Sequence, residues 1–314
     1  LILSSRSAAQ GEAACRAVRA VVPSAQVEAV TIDLASTASI RQAGAQLSPR
    51  RIDVLFHCAG IMQQSPVRRT TADGFEETLG VNVLAPILLT RLLLPCLGRS
   101  PEARVVCVTS RMHRPGGRGA AVHFEPDNPE LAQGYDPNRA YKNSKLALLW
   151  FTYELARRLP ASAVGVHAVC PGFVPTTAAE SVHGAMRFFL RYVLRFMPFA
   201  TSKEVAARNL AALVLNPALA GQTGTYWEDG AQAPRFHDSE VAAIGHALQQ
   251  ILARRGFLDS LGNQVPVAAL ARRLAARDQD RTDATAPDGS AEAPTQAGIT
   301  NANLVNVANV GNGK

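Results

Sequence analysis

Short apolar runs alternate with longer stretches of helical period, and this alternation constrains the fold more than any other feature of the chain. Leu1–Leu3, Val27–Ile32, Ile52–Phe56, Arg104–Val108 and Val164–Val169 read as strands. Most are continuously apolar, as strands buried on both faces must be. Ala8–Val21, Thr37–Leu47, Val83–Leu97 and Ala140–Leu159 carry helical spacing, with Leu146, Leu149, Trp150 and Tyr153 along one stripe of the last. Strands that alternate with helices pair in parallel, so a parallel α/β sheet is expected. A last strand is expected over Thr223–Trp227. A helix is expected over 238–255, capped by Asp238 and apolar at Val241, Ile244, Leu248 and Ile251.

Composition narrows the function classes. The 314 residues are 47% hydrophobic, enough for one sizeable core with length to spare. The formal charge of +7 is spread along the chain and aromatic content is only 6%, which argues against a nucleic-acid partner. Cys15, Cys58, Cys96, Cys107 and Cys170 form no C-x-x-C pair and most sit in apolar runs. That is the pattern of reduced thiols in a cytosolic or cytosol-facing protein, and it provides no metal site. No uninterrupted apolar run is long enough to read as a membrane span. After Gly256 the character changes: 257–276 is expected to be a basic helical extension, and 277–314, rich in Ala, Asp, Thr, Gly, Pro and Asn, a disordered tail behind a main domain of 1–256.

Chemistry enters at Tyr141 and Lys145. A four-residue separation puts both side chains on one helical face, where an ammonium favours the phenolate and brings a tyrosine toward useful acid–base range. Taken alone, this spacing is ordinarily a solvated pair on a surface helix. Ser110, however, ends strand Arg104–Val108 at the carboxyl edge, where open α/β sheets bind ligands. Asn82 interrupts an otherwise apolar segment; a buried amide serving a helix kink explains it equally well.

Asn82, Ser110, Tyr141 and Lys145, in this order and context, resemble the catalytic tetrad of the short-chain dehydrogenase/reductase family. The likeness covers roughly residues 1–237. Ser4-Ser5-Arg6-Ser7, Asp73-Gly74-Phe75-Glu76 and Ser144-Lys145-Leu146-Ala147 resemble its retinol-dehydrogenase-like subgroup. The resemblance implies an α/β fold built as a Rossmann-type, doubly wound parallel sheet in three layers. It implies that Tyr141 exchanges the proton with the substrate oxygen and that Ser110 hydrogen-bonds that oxygen. Lys145 would lower the Tyr141 pKa and hold the nicotinamide ribose, and Asn82 would place a relay water. Cofactor contacts are expected from Arg6, Asp33, Leu34, Ala59, Gly60, Tyr141, Lys145, Pro171, Gly172, Val174 and Thr176. His57-Cys58-Ala59-Gly60 stands where the family has N-N-A-G, with both asparagines replaced.

Arg6, with no acid beside it, suits a ribose 2′-phosphate, so NADP is expected ahead of NAD. The substrate expected is a lipophilic alcohol or carbonyl. Residues 183–199, where Arg187, Arg191 and Arg195 recur among apolar residues, are expected to form a lid, a packed helix or a shallow membrane contact. Pro115–Gly119 imitates a phosphate loop after the wrong strand and reads as a flexible loop. The alternative to an enzyme is a Rossmann-fold binding or scaffold protein. Because Leu1 already falls in what matches the family's second strand, the first strand and its glycine-rich turn are expected to be missing from the chain. The sheet would then lack its central strand, cofactor binding would suffer, and roughly 30 or more further residues would be encoded upstream, about one strand-turn-helix unit.

Overall fold

A computed structural model describes residues 1–114, 124–175, 188, 192–197, 200–234 and 251. The chain divides into two units, Leu1–Val241 with 301–314, and Ala242–Thr300. Every strand and helix named below belongs to the first. Within the second only Ile251 is described, helical and buried. The expected boundaries near 256 and 276 and the tail therefore lie outside the described residues. So do the Pro115–Gly119 loop, Thr176 and most of 183–199.

The strands are β1 (Ile2–Ser5), β2 (Glu28–Thr31), β3 (Val54–His57), β4 (Ala103–Val108), β5 (Val164–Cys170), β6 (Thr225–Glu228) and β7 (Ala231–Ala233). β1 and β2 pair in parallel as a two-stranded sheet, while β3-β4-β5-β6 run parallel in a second sheet that β7 closes antiparallel. The expected gap is present: among the described residues no strand pairs with the free edge of β1 or of β3. The helices are α1 (Ala8–Val21), α2 (Thr37–Leu47), α3 (Glu77–Leu97), α4 (Pro137–Arg158) and α5 (Lys203–Leu215). All five start at a side-chain cap, namely Ser7, Ser36, Glu76, Asp136 and Ser202 accepting from the backbone of the first turn.

Alternation along β4 fixes the layers. Val105 and Cys107 face Leu97 of α3 and Leu148 of α4, and Val106 and Val108 face Leu210 and Leu213 of α5 on the other side. A second core joins Val30 and Ile32 to Ile40 and Ala43 of α2 and Leu89 and Leu93 of α3. By length and composition α3 could cross a membrane, but 67% of that span is buried inside the protein, as befits a core helix.

Asp73 and Glu76 turn out to be structural. Asp73 accepts from the Thr37 amide (2.9 Å) and hydroxyl (2.8 Å), fastening the start of α2. Glu76, 2% exposed, caps α3 by accepting from the Thr78 and Leu79 amides at 2.9 and 2.7 Å. Between them Gly74 takes φ 81°, a left-handed turn conformation natural to glycine. α3 therefore begins six residues ahead of the expected Val83. β6 and β7 form a hairpin whose central residues, Asp229 (φ 53°) and Gly230 (φ 80°), are both left-handed, the signature of a type I′ turn. β7 and α5 were not anticipated from the sequence.

Candidate active site

The carboxyl ends of the parallel strands carry the candidate residues to one edge. Ser110 directly follows β4 and caps the short turn Arg111–His113, its hydroxyl accepting from the Met112 amide at 3.3 Å. Tyr141 lies in the first turns of α4, which Asp136 caps and Pro137 opens with a preset φ. The Ser110 side chain lies beside the Tyr141 phenol, close enough to favour its ionised form, which brings together two expected residues from separate elements.

Lys145 stands one turn along α4, 4% exposed, with Nζ 5.6 Å from the Tyr141 ring centroid. It donates to the Val108 carbonyl at 3.0 Å, and the Thr109 hydroxyl donates to the Lys145 carbonyl at 2.9 Å, so strand end and helix are tied twice. Burial draws the Lys145 pKa down to about 8, and the thiols of Cys58, Cys107 and Cys170 lie close enough to oppose that shift. Burial likewise pushes Tyr141 up to about 12, against a downward pull from the Ser110 hydrogen bond. Desolvation of the phenolate, the largest influence on Tyr141, acts opposite to the depression expected from Lys145.

Asn82 is fully buried in a π-helical turn, Gly80–Leu84, inside α3. Extra residues of this kind collect at functional sites, where they turn a side chain off the regular helical register. Its Oδ1 accepts from the Ile61 amide (2.8 Å), and Nδ2 donates to the Ile61 carbonyl (2.9 Å) and the Ser144 hydroxyl (3.0 Å). Asn82 thus does hold backbone, and the backbone it holds is the segment leaving Ala59-Gly60. A Cβ on Gly60 would sit 3.1 Å from Lys145 Nζ and 3.3 Å from Asn82 Oδ1, so this close approach needs glycine.

His57, where the family has asparagine, bonds instead to Thr90 of α3 at 2.7 Å and is held neutral by burial, its pKa drawn down to about 4. Burial raises Cys58 to about 11, leaving it a thiol. Asp33 ends β2 and accepts from the Ala35 amide at 3.0 Å, with half-buried Leu34 between. Arg6 is exposed between β1 and the Ser7 cap of α1. Pro171, Gly172 and Val174 follow β5; Gly172 has φ 83°, and a Cβ there would run into the Thr201 side chain. Phe173 bridges Ala200, and its carbonyl accepts from the Thr201 amide at 2.7 Å, which closes the base of the intervening segment.

Sequence reasoning missed a polar cluster beside Ser110: Arg111 and Arg114 pair with Glu228, and Arg111 also pairs with Asp229. The one available signal was the run of basic residues just past the strand end. Among the described residues no group of His, Cys, Asp or Glu could hold a metal. The surroundings fit a nicotinamide dinucleotide: a glycine approach under Lys145, a strand-end hydroxyl on the phenol, and an exposed arginine at a capped helix start.

Residues 1–122 match the short chain dehydrogenase family. Retinol dehydrogenase 13 from Homo sapiens is 35% identical over 249 residues, 77% of this chain and 73% of its own. Polyprenol dehydrogenase from Homo sapiens is 37% identical over 220 residues, 68% of this chain and 64% of its own. A solved, uncharacterized protein from Mycobacterium paratuberculosis superposes with TM-score 0.53 at 28% identity, covering 81% of this chain and 82% of that one. A blue fluorescent protein from a metagenomic library, solved with NADPH, gives 0.53 at 26% identity over 72% and 84%. The chain belongs to the short-chain dehydrogenase/reductase family, in its retinol-dehydrogenase-like branch, and is an NAD(P)-dependent oxidoreductase of the alcohol/carbonyl class.

Proposed function

We propose that the protein reduces a lipophilic aldehyde or ketone to its alcohol with NADPH, and runs the reverse reaction when product and NADP accumulate. The carrying observation is Tyr141 on α4 with the Ser110 side chain beside it and buried Lys145 Nζ 5.6 Å from its ring. With a pKa near 12 the phenol is protonated at neutral pH, which is the form carbonyl reduction requires. Tyr141 gives its proton to the substrate oxygen, and Ser110 donates to the same oxygen and steadies the charge that develops there. The bound dinucleotide supplies the hydride. Lys145, Ala59-Gly60, Pro171, Gly172, Val174 and Thr176 hold its nicotinamide end, and Asp33, Leu34 and Arg6 its adenosine end. Asn82 keeps the 59–61 segment against α4 and lies next to the proton path. Arg6 favours the 2′-phosphate of NADP by charge-assisted hydrogen bonding.

The lipophilic substrate rests on the names of the relatives, retinol and polyprenol dehydrogenases, and on apolar exposure near the Phe173–Ala200 bridge, where Phe188 is 63% and Phe196 72% exposed. The same surface suits shallow contact with a membrane, interleaved in sequence with Arg187, Arg191 and Arg195. Free thiols throughout, four of them buried, suit a reducing compartment. The test is consumption of NADPH on adding retinal in detergent micelles: the proposal expects stoichiometric retinol, and a protein that binds NADPH without turning over any retinoid or prenyl aldehyde would refute it.

A further inference from the structure

The cluster beside Ser110 joins the ends of two strands, β4 and β6. Glu228 ends β6, and the type I′ turn behind it presents Asp229 on the same side. Arg111 spans both carboxylates, while Arg114 holds the second oxygen of Glu228. The Tyr226 hydroxyl donates to Glu228 Oε2 at 3.1 Å, and the Tyr226 ring takes the edge of His113 with centroids 5.4 Å apart. His113 returns to the start of the segment, its Nδ1 against the Ser110 carbonyl and its amide donating to that carbonyl at 3.2 Å. Ser110, His113, Tyr226, Glu228 and Arg111 therefore close a ring of contacts. The Glu228 side chain, 9% exposed, is its most enclosed charge, and it receives three donors from residues outside its own turn or one place removed in the strand.

We propose that Glu228 is a positioning residue: through Arg111 and Arg114 it fixes the 110–114 segment, and with it the direction of the Ser110 hydroxyl beside Tyr141. A rigid two-residue hairpin turn is a suitable mount, because both its central residues are held in left-handed backbone and the strand pair behind it is closed. Both arginines are themselves partly exposed, and the pairing of Arg111 with solvent-facing Asp229 is worth little by itself; the shielded Glu228 carries the hold. This proposal rests on the reading of Ser110 as a donor to the substrate oxygen.

The experiment is a double-mutant cycle between Glu228→Gln and Ser110→Ala in the whole protein, read with amide exchange over 110–114. Glu228→Gln is expected to speed exchange of the His113 amide. It should also lower kcat by about 10- to 100-fold, the scale of a misplaced catalytic group, with the NADPH dissociation constant held within about threefold. On the Ser110→Ala background the same change should cost about twofold or less, because the group it positions is gone. Arg111→Gln, at a more exposed position, should reproduce the pattern if Glu228→Gln fails to fold. Unchanged exchange, or kcat losses that multiply across the cycle, would overturn the proposal. A fully active Ser110→Ala protein would refute the role given to Ser110 instead, and exchange alone would then decide whether the clamp exists.

Discussion

β4 and β5 are buried at every residue, whereas β1 and β3, the latter as apolar as they are, are partly exposed along most of their length. The difference is one of neighbours. A parallel strand is covered by helices on its faces but only by other strands at its edges, and the free edges of β1 and β3 have none among the described residues. Function divides along the same line. Ser110, Tyr141 and Lys145 gather around the covered strands, while Arg6 and Asp33, at the ends of β1 and β2, belong to the two-stranded sheet. In the proposed assignment, the groups that handle the proton sit where packing is complete, and those that would grip the adenosine end sit where it is not.

The largest expected contrast is in stability. Leu149, fully buried on α4, should cost about 2–5 kcal/mol when changed to alanine, the range for cavity formation in a packed core. Leu55, half-buried on β3, should cost roughly half of that, since part of its surface already meets water. Chemical denaturation of the two variants checks this, and equal losses would mean that β3 is as well covered as the core face of α4.

A smaller effect is expected at the adenosine end. Arg6→Ala should reduce the ratio of kcat/KM for NADPH over NADH by about tenfold, the scale of one charge-assisted hydrogen bond at an exposed site. A parent enzyme that prefers NADH would place the phosphate contact elsewhere.

A further effect, confined to acid pH, is in pH dependence. His57 and His167 are buried and neutral, with pKa values drawn down from about 6.5 to about 4. Between those values the unfolded chain binds the extra protons, so stability is fully present above pH 6.5 and falls as pH drops toward 4, by up to about 1.4 kcal/mol per pH unit for each histidine. His57→Gln, which can keep a hydrogen bond to Thr90, should remove one share of that slope. Ring titration by NMR sharpens the comparison: a His57 pKa near its ordinary value would show that the end of β3 is as open as its middle.

The elements that periodicity determines were legible. The observed bounds of α1 and α2 are the expected ones, because a single apolar stripe and a polar cap set each. The start of α3 was not, since Glu76 and the π turn at Asn82 break the stripe. Ala231–Ala233 has no apolar alternation to mark it as a strand, although Asp229-Gly230 ahead of it is a hairpin signal. At the site, Tyr141, Ser110, Lys145 and Asn82 do come together, because order along a doubly wound sheet dictates which strand ends share an edge. What spacing could not convey was burial. Four residues on a helix predict a Lys–Tyr meeting but not its depth: Lys145 is buried and Tyr141 partly so, and that enclosure sets the direction of the Tyr141 shift.

The division of labour between the two sheets is tested most directly by measuring kcat and the NADPH dissociation constant side by side in Tyr141→Phe and Arg6→Ala. Tyr141→Phe should lose about 100- to 10,000-fold in kcat with affinity within a few fold, since it removes only the transferable proton. Arg6→Ala should lose affinity with kcat nearly intact. A Tyr141→Phe protein that turns over near the parent rate, or an Arg6→Ala protein whose kcat collapses with its affinity unchanged, would contradict the assignment of chemistry to the five-stranded sheet and of phosphate recognition to the two-stranded one.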